Sequence, residues 1–291
     1  MIKTAGSVLL FLLIFALPLD AKSLLYKVSS PSSTVYILGS IHLAKPELYP
    51  LESTINEAYS KTDVLVVELD AESRASMTVM QDAMRTLGIY PKGRTLQSEL
   101  SVTTYRELER YTQQRGIPLE SLEKMRPWVV MLQLSMAEML RMGFSPELGI
   151  DKHFLDRAKK EKKAIVALET IEEQMALLSR DDRAYQEKLL RYTLASMGEM
   201  EPMLNVLFTS WKNGDAEAIE KLFLLAMQDD AALEDVYDDL VTRRNYKMTE
   251  KIEAFLRTER DYFVVVGAGH VVGREGIVDL LEKRGYKVMQ K

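Results

Sequence analysis

The chain contains no cysteine, and only three histidines, at positions 42, 153 and 270. Without cysteine there is no disulfide and no lipid-anchored cysteine, so an exported form must hold itself together by core packing alone. A length of 291 residues with 47% hydrophobic content allows such a core. An excess of basic charge is also missing. The net charge is −5, and no stripe of lysine and arginine with interleaved aromatics occurs, which excludes a nucleic-acid binder working through phosphate contacts. No internal repeat at solenoid spacing is found. The sixteen methionines form no tight Met-x-x-Met cluster of the kind a copper site would need, and they read as helix core filler. No linker rich in proline, glycine or serine divides the chain.

A long membrane-spanning run is absent as well. The opening segment MIKTAGSVLLFLLIFALPLDAKS has one early lysine, an apolar stretch from Val8 to Leu17, Pro18, and the small Ala21. That layout predicts a signal peptide over residues 1–21 and a periplasmic or secreted protein. The runner-up is an uncleaved N-terminal anchor, because Leu19 is not ideal at the −3 position. The stretch PWVVMLQLSMAEMLRMGF (127–144) is interrupted by Gln133, Ser135, Glu138 and Arg141 and reads as a buried amphipathic helix.

What remains is a series of short apolar runs alternating with long helical stretches. SLLYKV and TVYILGS flank a turn-forming VSSPSST and predict a hairpin. A helix is expected from Pro46 to Ser60. The runs DVLVVELD (63–70) and KAIVALET (163–170) read as strands buried on both faces, and DYFVVVGAGH (261–270) as the last major strand before a helix and a terminal strand, YKVMQK. Residues 72–145, with breaks at 88–93, 115–118 and 142–146, and residues 171–260 read as helical. The whole predicts an α/β domain over residues 22–291, with a central, largely parallel sheet and extensive helical insertions.

Four of the apolar runs end on a residue able to bind a metal or move a proton: His42, Glu68, Glu169 and His270. If the strands are parallel, these ends share one edge of the sheet, where open α/β folds place their sites. Two imidazoles with one or two carboxylates suit a divalent ion such as Zn²⁺ or Mn²⁺. His42 and His270 each stand three residues after a glycine, Gly39 and Gly267, expected to turn the chain off its strand. A carboxylate inside an apolar run needs a partner, so Glu68 demands a metal or an arginine. Glu169 could equally belong to the start of the next helix.

Other readings stand beside these. Gly267, Gly269 and Gly273 hint at a dinucleotide loop, but too little chain follows to complete a βαβ unit, and close approach to a ligand suits Gly267 and Gly269 better. His153 lies among Asp151, Lys152, Asp156 and Arg157 on a helix surface, solvated or capping, with Asp151 as a candidate N-cap. An arginine from TRRNYKMTEKIEAFL (242–256) could reach the sheet edge and neutralise an oxyanion.

Taken in order, GSIH, VVELD, the pair Arg244–Asn245 and GAGH resemble the TraB family (TraB/PrgY/GumN), whose animal relatives are the Tiki Wnt-inactivating proteases; the resemblance covers roughly residues 24–290. It implies an erythromycin-esterase/ChaN-like fold and metal-dependent peptidase chemistry with Mn²⁺ or Co²⁺. On that basis His42, His270, Glu68 and Glu169 would hold a divalent metal (Mn, Co or Zn). Glu68 would be ligand or base, Arg244 would stabilise an oxyanion, and Asn245 would orient a peptide or small-molecule substrate. The competing expectations are a non-catalytic ligand-binding protein using the same crevice, and a degenerate member in which these residues only stabilise the fold.

Overall fold

The computed structural model describes residues 23–228 and 234–291, so the expected signal segment, residues 1–21, lies outside the described residues. The chain starts with strands β1 (Leu25–Ser29) and β2 (Thr34–Ser40), then α1 (Ser53–Ser60) and β3 (Val64–Val67). Helices α2 (Arg74–Leu87), α3 (Leu96–Glu99), α4 (Val102–Arg115), α5 (Pro127–Arg141) and α6 (Ile150–Glu161) lead to β4 (Ala164–Ala167). A second helical series follows: α7 (Ile171–Leu178), α8 (Arg183–Ser196), α9 (Met200–Lys212), α10 (Ala216–Gln228), α11 (Glu234–Tyr237) and α12 (Arg243–Phe255). Strand β5 (Tyr262–Gly267), helices α13 (Ala268–Val271) and α14 (Ile277–Lys283), and β6 (Val288–Gln290) complete it.

The fold is α/β. One mixed sheet runs in the order β4-β3-β5-β2-β1-β6. Strands β4, β3, β5 and β2 are mutually parallel, while β1 pairs antiparallel with both β2 and β6. The hairpin between β1 and β2 follows from the serine-rich turn, in which the Ser30 hydroxyl accepts from the Ser32 and Ser33 N–H groups. In β3 and β5, runs of valine and leucine fill both faces and are buried, as continuous apolar strands in the middle of a parallel sheet must be.

Several details depart from expectation. Strand β4 is largely exposed, with Val166 at 39%, because it forms the outer edge of the sheet instead of an interior position. The helix expected over 46–60 is split into a 3₁₀ turn, Pro46–Leu48, and α1. Pro50 lacks an N–H, and Tyr49 before it is extended, so the helix cannot run through. In α5, Glu138 is on the buried face with Val130 and Leu134, where Arg115 and Arg141 pair with it and the Tyr111 hydroxyl donates to it. The methionines divide: Met175, Met197 and Met248 are core, whereas Met77, Met136 and Met289 are exposed.

The main core packs the sheet against α1, α6, α12 and α14. A second cluster, with Leu96, Leu108, Val130, Leu134 and Leu190, lies within the helices α3, α4, α5 and α8. No helix among the described residues is long and apolar enough to cross a membrane.

Candidate functional site

Register decides which residues meet. Ser40 stands opposite Gly267, Val67 opposite Val265, and Val67 again opposite Ala167. Strands β2 and β5 therefore end level, β3 and β4 stop two residues short of them, and the residues that follow all four emerge along one edge. Backbone pairing continues past the strands: Glu68 N–H donates to Val265 C=O, and Glu169 N–H donates to Glu68 C=O. The carboxylates of Glu68 and Glu169 thus come side by side, both buried.

His270 sits in the single turn of α13, three residues beyond the end of β5 and 7% exposed. Its Nδ1 lies 2.7 Å from Asn245 Oδ1, and the Asn245 amide nitrogen donates to Glu275 C=O at 2.8 Å. Because that amide nitrogen is spent on a carbonyl, the oxygen must accept, and His270 carries its proton on Nδ1. Burial holds the ring down at about 4, so it is neutral with a free lone pair on Nε2. Asn245 is itself 2% exposed. It was expected to orient substrate; both ends of its side chain are instead committed inside the protein, and it fixes the tautomer of His270.

His42 has an analogous support. Its Nδ1 is 2.9 Å from Asp151 Oδ2, while Ser40 Oγ donates to Asp151 Oδ1 at 2.9 Å. The Asp151 charge lifts the His42 pKa to about 9. Asp151 is in the first turn of α6, but Gly149 occupies the N-cap position, so Asp151 serves His42 and does not cap the helix. Helix α6 reaches the site because Ile150 N–H donates to Ile41 C=O, bringing its first turn over the end of β2. His153, two residues after Asp151, packs against the rings of Tyr49 and Phe154 at 5.3 and 5.0 Å, so it is a packing residue and not a solvated one.

Arg244 is the second residue of α12, which directly follows a π-helical turn, Asp238–Thr242. Its guanidinium donates to Leu240 C=O at 2.8 Å and to both oxygens of Glu169, at 2.8 and 2.6 Å, and makes a further short contact with Glu68 Oε1. Gln174, on α7, donates from its amide to Glu68 at 3.2 Å and to Glu169 at 3.1 Å. Burial opposes ionisation of Glu68, but His270, Arg244 and His42, with the Gly267 N–H at 3.2 Å, hold its carboxyl down at about 2. Glu169, expected in a metal shell, has both oxygens taken by Arg244 and Gln174, so it positions the arginine.

The two glycines before the histidines act through size, since neither has positive φ. Gly39 lies within β2, where a side chain would collide with Leu24 and press on Ala268; its carbonyl accepts from Trp211 Nε1 at 2.6 Å. It packs the strand and does not turn it. At Gly267, a methyl group would sit 3.5 Å from His270 Cδ2, 3.6 Å from Glu68 Oε2 and 3.8 Å from His42 Nε2. The missing side chain leaves a gap bordered by all three.

Does this gap suit a divalent metal? The donor chemistry fits in part: His270 Nε2 carries a lone pair and Glu68 Oε2 is ionised, whereas His42, raised to about 9, offers its Nε2 only after giving up its proton; each imidazole is oriented by a partner on Nδ1 as metal-ligating histidines are. Three carboxylates, Glu68, Glu169 and Asp151, against Arg244 and a protonated His42 leave one excess negative charge. As arranged, however, no three His, Asp or Glu side chains among the described residues stand together closely enough to hold an ion, and Glu68 is engaged by Arg244. Asp151, Gln174 and Trp211 complete the surroundings; Gln174 and Trp211 went unread in the sequence, and Asp151 was read only as a candidate N-cap. Only Asp151 had a visible signal, its place at the start of GIDKHF.

Comparison with known proteins gives the family. A model described as the TraB/PrgY/gumN family matches residues 24–290. The chain is 24% identical over 247 residues to the uncharacterized protein YbaP of Escherichia coli (strain K12), spanning 84% of this chain and 87% of that protein. It is also 24% identical over 303 residues to a protein named metalloprotease TIKI2 from Xenopus tropicalis, covering 87% of this chain and 57% of that protein. Similarity of 24% over 268 residues extends to an uncharacterized protein of Treponema pallidum (strain Nichols). No solved structure matches the chain.

Proposed function

Because the chain belongs to the TraB/PrgY/gumN family, we propose that it is a metal-dependent hydrolase of peptide bonds, acting as one domain, residues 22–291, outside the cytoplasm. The observation that carries the reading is the shared gap at Gly267. Two imidazoles committed through Nδ1, to Asp151 and to Asn245, border it beside the Glu68 carboxylate. Distant relatives named as metalloproteases point the same way.

His42, His270 and Glu68 would hold the ion, Mn²⁺, Co²⁺ or Zn²⁺; Glu169 stays with Arg244. A bound divalent metal supplies polarisation of a carbonyl and a water nucleophilic at neutral pH. The protein's own groups do the rest. Glu68, ionised at neutral pH, has only Oε2 on the side of the gap, so that oxygen serves either as ligand to the ion or as proton acceptor and not as both at once. Arg244, held by Glu169, offers a fixed positive charge against a developing oxyanion. Asp151 and Asn245 keep the two rings in orientation.

Metal content and peptide cleavage, measured on purified protein after exposure to each ion, test this. His42→Ala and His270→Ala should each lose the ion and the cleavage; unchanged metal content in both variants would sink the site. Fractionation of expressing cells tests the location, which is overturned by recovery in the cytoplasm only. A second reading, a ligand-binding protein that does not cleave, is favoured by one feature: Arg244 pinned between Glu68 and Glu169 makes a ready ion pair for the ends of a bound peptide. Peptide binding without cleavage under every metal would favour it.

A further inference from the structure

A cavity of about 400 Å³ opens onto His42, Glu68, Arg244 and His270. Its size is within the range of pockets that take small molecules or parts of peptides. Away from those four residues its character changes abruptly. Met139 from α5, Phe144 from the loop after it, Leu204, Leu207 and Phe208 from α9, and Phe223 from α10 line the remainder. Among the described residues no other charged side chain borders it, and Ser40, the one remaining described side chain there with a hydroxyl, is already donating to Asp151.

The walls are fixed by packing. Phe144 and Phe208 meet edge to face with ring centres 6.2 Å apart, and the Lys45 ammonium lies 4.5 Å from the Phe144 ring centre. Phe223 lies so close over Gly269 that a methyl group there would come within 2.9 Å of the Phe223 ring. Gly269 therefore lets an aromatic wall stand directly beside His270. An aromatic or branched aliphatic group seated against Leu207 and Phe208 exchanges water for apolar contact, whereas a carboxylate seated there would lose water against apolar walls, away from Arg244 and His42.

We propose that the chamber selects substrate peptides through one large apolar side chain, aromatic or branched aliphatic, seated against Leu207 and Phe208 beside the bond presented to His42 and His270. The assignment of a peptide substrate rests on the hydrolase reading above. The apolar subsite adds what that reading lacks, a rule for which peptides are accepted. A charged residue at that one position is rejected, and alanine is accepted poorly because it leaves the chamber unfilled.

The test uses quenched fluorescent peptides that differ at one scanned position, carrying Phe, Leu, Ala, Asp or Lys, with the full chain and added Mn²⁺, Co²⁺ or Zn²⁺. At one position kcat/KM for Phe or Leu should exceed that for Ala or Asp by on the order of tenfold to a hundredfold. Leu207→Asp should abolish the preference for Phe and favour Lys, while Leu207→Met keeps the wild-type order. If Leu207→Asp melts early, Leu204→Glu in the same wall takes its place, with the same expected reversal. Cleavage with no preference at any position overturns the subsite and leaves the hydrolase reading standing. If no peptide is cleaved, the hydrolase reading fails, and calorimetric titration with N-acetyl-phenylalanine amide and N-acetyl-aspartate amide decides the subsite. Binding of the first alone supports it; equal binding, or none, overturns it.

Discussion

Replacing Gly267 by alanine separates the fold from the site. The backbone there has φ −50° and ψ 138°, a conformation open to any residue, and the added methyl meets its nearest neighbours at 3.5, 3.6 and 3.8 Å, ordinary van der Waals distances. Those neighbours are His270, Glu68 and His42. The Gly267 N–H, which donates to Glu68, survives the change. Stability should thus hold or rise by about 0.4–1 kcal/mol through the stiffer unfolded chain, about 1–3 °C in Tm. Function should not hold. Any atom seated in the gap would have to move by about 1 Å to clear the methyl, and a displacement of that size costs about 10²-fold in rate. Calorimetry gives the first quantity; metal content and peptide cleavage give the second. A Gly267→Ala protein with wild-type metal content and cleavage refutes the placement of the site between these three side chains. A loss of more than about 2 kcal/mol refutes the packing described around Gly267, since no overlap is present to cause it.

Further outcomes follow from the same geometry. Asp151→Asn removes the charge that raises His42, so its pKa should fall from about 9 towards the usual 6.5. With only three histidines in the chain, imidazole NMR resolves this directly, and an unmoved His42 titration would show that the pair does not form. The sign follows from the raised value: the pair's stabilisation is complete below the unfolded pKa and disappears as pH climbs through about 9. Glu138→Ala should cost about 1–3 kcal/mol in urea unfolding at pH 7, a buried-pair value reduced because Arg115 and Arg141 keep partial solvent contact. The Glu138 pKa is lowered in the fold: burial pushes it up, but Tyr111, Arg141 and Arg115 outweigh this. The difference between wild type and Glu138→Ala should therefore shrink as pH falls through the folded pKa, and a difference that persists in acid would refute the charge argument. Gly39→Ala should destabilise by about 1–3 kcal/mol, because the methyl meets Leu24 and the backbone of Ala268 inside the core; a neutral result would mean β2 is packed more loosely than described.

Strand ends were legible in the sequence because an apolar run interrupted by His or Glu is conspicuous and the parallel arrangement makes such ends converge. Hence His42, Glu68, Glu169 and His270 could be named, and Arg244 suspected. What their neighbours do was not legible. Asp151 and Gln174 lie on helices whose rotation over the sheet edge is set by long-range packing, and nothing local marks which polar residue of a helix will face a strand end. Asn245 was visible, but its role depended on where Glu275 C=O lay, 30 residues away. The role of Gly39 was misjudged for a similar reason. A glycine near a strand end reads as a turn, whereas Leu24, fifteen positions earlier, is what demands its lack of a side chain. The exposure of β4 was hidden because an edge strand and an interior strand can carry the same run of apolar residues.

The order β4-β3-β5-β2 has a temporal meaning. Strands β2 and β3 appear early in the chain but do not pair with each other; β5, which begins at Tyr262, is inserted between them. Until that segment exists, His42 ends one partial sheet and Glu68 another, and the inner edges of both expose unpaired backbone groups. A nascent or prematurely ended chain lacks both His270 and the strand that brings His42 to Glu68. The four residues at the sheet edge can therefore come together only once the chain has reached β5, and joining the two half-sheets closes a large loop at an entropic cost.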